Sequence, residues 1–299
     1  GATPRRSSSA SSSGGGGAEG TASSDGPALA ERHDTVPFFE PWSAWLQQHF
    51  QGEFALREER LPEEFAFMRG AKVPAEITTY IFTGTDPKSP IRRLRIVLVN
   101  NGKDLQAFNV AIYPAYKLGP VPIFGADLLS FNGHRRLLYG VDWAPMATDA
   151  DYAEARIAPY VAGIRNGRHA DLVTLPSSRF YGEWPEFFSP HMFFARPESA
   201  EAFQPESSLW EVLCDYCTQY SKMLQDAQGR PVEADAVAFA ERRQADFDCW
   251  HAERDPALPI FKKLFGADWT ERYVGGVLFP GIARARASDD GATPGSQSE

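Results

Sequence analysis

The sequence predicts an α/β protein, a three-layer α/β/α sandwich with a central antiparallel sheet flanked by helices. Three observations predict it. Between Ala75 and about Trp143, five segments alternate in side-chain character with the period of two that a pleated strand imposes. The links between them, such as "NNGK" and "FNGH", are short and rich in Gly and Asn, so consecutive strands turn back on themselves and pair antiparallel. From about residue 147 onward the apolar residues recur at helical spacing, and helices that follow a sheet bury their apolar stripes most economically on its two sides.

Along the chain the strands are "AEITTYIF", "RRLRIVLV", "LQAFNVAIY", "VPIFGADLLSF" and "RRLLYGVDW", dense in the β-branched and aromatic side chains that suit a pleated surface. The helices are "TDADYAEARIAPYVAGI", residues 208–226, "VEADAVAFAERRQADFDCWHAE" and "PALPIFKKLFG". In the second of these, Leu209, Val212, Leu213, Tyr216, Cys217, Tyr220 and Leu224 form one stripe. Cys214 and Cys217 make a C-x-x-C there, but Cys217 lies on the stripe and no second Cys pair or His pair accompanies it. The sulfur therefore reads as core filler rather than as a zinc or redox site. In the last helix, Asp255 stands where an N-cap belongs, with Pro256 at the first helical position.

The 299 residues, 43% hydrophobic and 13% aromatic, can bury a large core. Residues 1–34 and 284–299 are too poor in apolar side chains to offset chain entropy and are expected to be disordered, leaving 35–283 as one folded domain. The Ser-rich start with Arg5 and Arg6 reads either as a plastid transit remnant or as a linker, which places the protein in the plastid or, failing that, in the cytoplasm. No apolar run approaches the ~18–20 residues of a membrane span. A net charge of -9 argues against a nucleic-acid binder. Three cysteines cannot build a disulfide framework. Basic clusters are local: "RRLR" at 92–95, Arg135 with Arg136, and Lys262 with Lys263, each read singly as a solvated edge or helix face. Nucleotide-loop, metalloprotease and nucleophile-elbow motifs are missing and the six His are scattered without ligand spacing, so any chemistry must use carboxylates and the ligand itself.

One carboxylate is out of place. In residues 121–131 the odd positions are Val121, Ile123, Gly125, Asp127 and Leu129, which points Asp127 into apolar company. On the neighbouring strand the odd positions are Leu105, Ala107, Asn109, Ala111 and Tyr113, whereas the even positions of both strands are bulky. Ala107, Ala111 and Gly125 thus clear space around Asn109 and Asp127. That suits a flat apolar ligand addressed by a few polar groups; the alternative is a buried Asp and Asn satisfied by backbone or water.

The blocks "LQAFNVAIYPAYKLGPVPIFGADLLSF", "FFSPHMFF" and "WHAERDPALPIFKKLFGADWTERYVGGVLFP", in this order between residues 35 and 280, resemble the ferredoxin-dependent bilin reductases. The resemblance implies a sandwich that binds biliverdin or a dihydrobiliverdin between the sheet and the C-terminal helices. It also implies no bound flavin or metal, electrons delivered singly by a reduced 2Fe–2S ferredoxin, radical intermediates, and a protein whose task is to supply protons. It makes Asp127 and Asp255 the catalytic acids and Asn109, Phe124, Ser189 and Arg254 substrate contacts, with Arg254 and the basic clusters also open to ferredoxin. Asn109 and Val97 stand where phycocyanobilin-forming members carry His and Glu. "GADLLSF", "APMATDADY" and "AERDPA" look closest to the members that reduce biliverdin to 15,16-dihydrobiliverdin. Reduction of dihydrobiliverdin to phycoerythrobilin and a non-catalytic bilin carrier are the alternatives. A monomer is expected, with product transfer to a second reductase as a further possible contact.

Overall fold

In the computed structural model, which describes residues 37–174 and 186–282, eight strands form one antiparallel sheet. The two expected disordered ends, 1–34 and 284–299, lie outside the described residues. The strands are β1 (Leu56–Glu58), β2 (Phe67–Arg69), β3 (Glu76–Gly84), β4 (Ile91–Asn101), β5 (Leu105–Pro114), β6 (Ile123–Phe131), β7 (Arg136–Ala144) and β8 (Phe193–Ala195). The meander β3 to β7 is the predicted one. β8 extends it on one side, and β1 and β2 share the free edge of β3 at its two ends. The short strands escape the sequence because three residues carry too little alternation to register.

The helices are α1 (Glu40–Glu53), α2 (Glu63–Ala66), α3 (Ala150–Arg156), α4 (Ala158–Arg165), α5 (Ser208–Gln228), α6 (Ala234–Arg254), α7 (Ala257–Phe265) and α8 (Ala267–Tyr273), followed by a π-helical turn, Val274–Leu278. The single helix expected over "TDADYAEARIAPYVAGI" is two, broken at Ile157. Pro159, at the start of α4, has no N–H to continue the ladder of α3.

The even residues of β5 and β6, among them Phe108, Phe124 and Leu128, pack with Tyr139 and Trp143 of β7 against α1 and α5 in the larger core. Odd residues of β3 and β4, such as Ile77, Ile81, Val97 and Val99, pack against α7, α8 and the π-turn in a second core. α6 is tied to the rim of the sheet: Tyr113 OH donates to Asp248 Oδ1 at 2.7 Å, Gln244 Nε2 donates to the Pro114 carbonyl at 2.9 Å, and Asp248 Oδ2 accepts from Gly281 N at 2.7 Å. These bonds hold the C-terminal segment over the second face.

Candidate active site

A cavity of about 740 Å³ lies between that second face and the α6–α7 corner, within the range typical of small-molecule sites. Its floor is two adjacent rows of paired residues. One reads Val97, Asn109, Asp127, Gly140 from β4 to β7, and the next reads Arg95, Ala111, Gly125, Asp142. A Cβ built on Gly125 would meet nothing within 4 Å, so this glycine marks open space rather than a backbone need. Phe187, Phe188, His251, Asp255 and Phe279 also line it, with the His251 ring 6.2 Å from Phe187, 6.0 Å from Phe188 and 6.1 Å from Phe279.

Polar groups cross this floor in a line. Arg95 Nη2 donates to Asn109 Oδ1 at 2.5 Å, and Asn109 Nδ2 donates to Asp127 Oδ1 at 2.5 Å. Arg95 is only 3% exposed; its Nη1 donates to the Leu278 carbonyl, while Arg93 Nη2 donates to that of Val277 at 2.7 Å. The two arginines thus anchor the π-turn, whose carbonyls a regular helix would have used. Asp142 is a second buried carboxyl on the floor, accepting from Ser189 N at 2.7 Å and from Ser189 Oγ at 2.5 Å.

Burial pushes the Asp127 carboxyl up to about 7; the Asn109 hydrogen bond opposes that rise, Asp255 adds to it and Arg95 opposes it. Asp142 is likewise pushed up to about 7 by burial, against the Ser189 hydrogen bonds. Burial raises Asp255 too, opposed by the hydrogen bond from Ala257 N and by Arg95. His251 is driven down to about 4 by burial, and its Nδ1 donates to the Phe247 carbonyl at 2.9 Å, so at neutral pH it is an uncharged ring presenting Nε2 as an acceptor. The cavity therefore holds carboxyls able to keep a proton near neutrality.

Of the residues expected in the site, Asp127, Asn109 and Asp255 line the one cavity. Three expected substrate contacts do not. Phe124 faces the opposite core, 5.3 Å from the Tyr220 ring, because neighbouring strand residues point to opposite faces. Ser189 is fully buried behind Asp142 and positions that carboxyl. Arg254 is exposed, pairs with Glu253 at 2.7 Å and lies over Trp250. The "RRLR" run is not a solvated edge: Arg93 and Arg95 are buried, and Arg92 donates to Gln244 Oε1 at 2.9 Å and stacks on Tyr116, which removes Arg93 from any docking surface. The helix expected to start at Pro256 starts at Ala257, although Asp255 Oδ1 still accepts from Ala257 N at 2.8 Å.

Sequence reasoning missed Arg95, Asp142 and His251. Arg95 shares the odd parity of Val97 and Val99, and His251 stands one helical turn before Asp255; both signals were present in the sequence. Among the described residues no helix is long and apolar enough to cross a membrane, and no group of three His, Cys, Asp or Glu could hold a metal.

A carboxyl-lined apolar cavity between an antiparallel sheet and C-terminal helices is the arrangement that the resemblance to the bilin reductases implies. The chain belongs to the ferredoxin-dependent bilin reductase family, whose sequence pattern matches residues 43–280. It is 28% identical over 243 residues to a 15,16-dihydrobiliverdin:ferredoxin oxidoreductase of Nostoc punctiforme, covering 81% of this chain and 94% of that protein. It is 29% identical over 254 residues to a phycoerythrobilin:ferredoxin oxidoreductase of Gloeobacter violaceus, covering 82% and 96%. The crystal structure of phytochromobilin synthase from tomato in complex with biliverdin superposes with a TM-score of 0.68 over 82% of this chain and 84% of that one; at 20% identity this shows a shared fold. The protein is thus an oxidoreductase, a bilin reductase whose electrons come from reduced ferredoxin.

Proposed function

We propose that the protein reduces biliverdin IXα to 15,16-dihydrobiliverdin, adding two electrons, taken one at a time from ferredoxin, and two protons across the bridge between rings C and D. The observation that carries this reading is that Asp127 and Asp255 both open into one apolar cavity, with Asp127 raised to about 7. A proton donor to a ligand radical must hold its proton at neutral pH, and an exposed Asp at about 3.9 would not. Asn109 cannot donate a proton usefully, but it fixes Asp127; with Val97 beside it, the His and Glu pair that the family resemblance ties to phycocyanobilin formation is lacking. Arg136 and Arg196, exposed on the rim of the cavity, suit the two propionates, while Phe187 and Phe188 offer an apolar wall for the rings.

A second reading, reduction of 15,16-dihydrobiliverdin to phycoerythrobilin, draws support from the 29% identity to a relative named for phycoerythrobilin. Anaerobic incubation with reduced ferredoxin and each bilin in turn, followed by chromatography, separates the two. Consumption of biliverdin with a product absorbing at shorter wavelength supports the first step, because saturating that bridge shortens conjugation. Turnover of dihydrobiliverdin with biliverdin untouched selects the second, and bilin that binds unchanged marks a carrier.

A further inference from the structure

We propose that Arg95 is a positioning residue for proton donation: acting through Asn109, it fixes which oxygen of Asp127 carries the transferable proton. The inference deepens the reading of Asp127 as proton donor and rests on it. A guanidinium has only N–H donors, so the atom of the Asn109 amide that faces Arg95 must be the oxygen. Arg95 cannot easily turn away, being held by its bond to the Leu278 carbonyl and lying 5.4 Å from the centroid of the Phe279 ring. With Oδ1 engaged by Arg95 at 2.5 Å, Asn109 has only its NH2 left for Asp127, and Nδ2 donates to Asp127 Oδ1 at 2.5 Å. Oδ1 of Asp127 is then an acceptor in both protonation states. The proton must sit on Oδ2, which has no protein partner among the described residues.

Without Arg95 an asparagine could present either end. Its carbonyl would accept the carboxyl proton and hold it in an O–H···O bond away from the ligand. With Arg95 in place, transfer breaks the Oδ2–H bond and forms a new C–H or N–H bond on the bilin, the electron arriving separately from ferredoxin. The carboxylate left behind keeps the Asn109 N–H, with the Arg95 charge behind it. The other charged or titratable groups lining the cavity are Asp255 and His251 from α6 and its end, Asp142 and Arg136 from β7, and Arg196 after β8. Of these Asp255 acts on Asp127 in the sense opposite to Arg95.

The test uses the resting enzyme, without bilin or ferredoxin. In protein carrying 15N in its asparagine side chains, the Asn109 NH2 signal, assigned by its loss in Asn109→Leu, is followed across the titration of the Asp127 carboxyl, assigned by its loss in Asp127→Asn. The relay requires a hydrogen-bonded, downfield NH2 on both sides of that titration. An amide that loses this signature as Asp127 protonates has flipped, and overturns the proposal; this reading needs no Arg95 variant to fold. In Arg95→Met the Asp127 midpoint should rise by about one pH unit and the amide should flip on protonation. Arg95→Lys, which keeps a cationic donor, should restore both. A shift from Arg95→Met as large in the Asn109→Leu background as in wild type would mean that Arg95 acts only as a charge through space, and would also overturn the relay. Because nothing here depends on turnover, wild-type activity in Asp127→Asn would remove the donor reading while leaving the relay separately measurable.

Discussion

The two faces of one sheet are built from alternate residues of the same strands, yet they do opposite things. On the α1–α5 side Phe108, Phe124, Tyr139 and Trp143 are 0% exposed and fill space with rings. On the α6–α8 side, one residue away along each strand, Asn109, Gly125 and Asp142 leave a cavity and line it with groups that an ordinary core would exclude. Packing on the first face holds the floor in register; the second face uses that rigidity to hold carboxyls at fixed places, where burial pushes Asp127 and Asp142 up to about 7. Stability and chemistry are separated by the thickness of a backbone, so substitutions on the two faces should separate in the same way.

The largest expected effect is on the cavity side. Asp127→Asn keeps the shape and an acceptor for Asn109 but removes the titratable proton, so turnover should fall by about 10²–10⁴-fold with bilin binding retained. In wild type, activity should decline as pH rises through about 7, where Asp127 loses its proton. Stability should move the other way in the variant. A carboxyl whose value is about 7 folded and 3.8 ordinarily contributes stability that is present below 3.8 and lost as pH rises to 7. The melting temperature of Asp127→Asn should therefore exceed that of wild type at pH 8 and match it at pH 4. A variant less stable than wild type at pH 8 would show that the carboxylate is structurally satisfied.

On the packed face the same kind of change should reverse the pattern. Phe124→Ala, one strand position from Gly125, should cost about 3–5 kcal/mol in denaturant unfolding, because a large ring is removed from a close-packed site beside Tyr220. At permissive temperature the bilin dissociation constant should change little. A large loss of affinity without loss of stability would restore Phe124 as a substrate contact and break the distinction between the faces.

The division between faces was legible for β5 and β6 and stopped there for a geometric reason. Asn109 pairs with Asp127 and Ala111 with Gly125, odd with odd, so parity alone finds the floor of these two strands. Across the "FNGH" turn, Phe131 pairs with Arg136 and Gly125 with Asp142, so the cavity face passes from odd to even residues. Following odd positions into "RRLLYGVDW" leads to Tyr139 and Trp143 in the core and passes over Asp142. Register across a turn is set by its geometry, here with Asn132, Gly133 and His134 all at positive φ, and that is not written in side-chain alternation. Arg93 and Arg95 were hidden differently: a run of charges reads as a solvated edge unless carbonyls are known to wait opposite, and the π-turn that supplies them is distant in sequence. The fold was legible because alternation and turn chemistry are local; the partners of buried charges are not.

Gly125→Val sharpens the comparison at smaller scale. Because a Cβ there meets nothing within 4 Å, the fold should accept the branched side chain, whose strand preference is better than that of glycine. The added methyl groups would stand on the cavity floor between Ala111 and Asp142, so the bilin dissociation constant should rise by about tenfold or more while the melting temperature holds or increases. Unchanged binding, measured by titration of the bilin absorption, would place the tetrapyrrole away from this row.

The smallest effect is expected at Asp255, where a structural role competes with the chemical one. Its Oδ1 accepts from Ala257 N at the start of α7, and asparagine can make the same bond. Asp255→Asn should therefore leave stability within about 0.5 kcal/mol, whereas Asp255→Ala should lose about 0.5–2 kcal/mol by orphaning that N–H. Turnover separates the roles. On the proposed reading, with Asp255 as a second proton donor that acts after Asp127, the Asn variant should bind bilin, accept the first electron and accumulate a one-electron-reduced species in single-turnover spectra. The loss in kcat should be smaller than for Asp127→Asn, because a block at the first protonation stops both steps whereas a block at the second stops only one. Wild-type turnover in Asp255→Asn, together with a lowered melting temperature in Asp255→Ala, would reduce Asp255 to a helix cap. The protonation chemistry would then rest on the sheet floor alone.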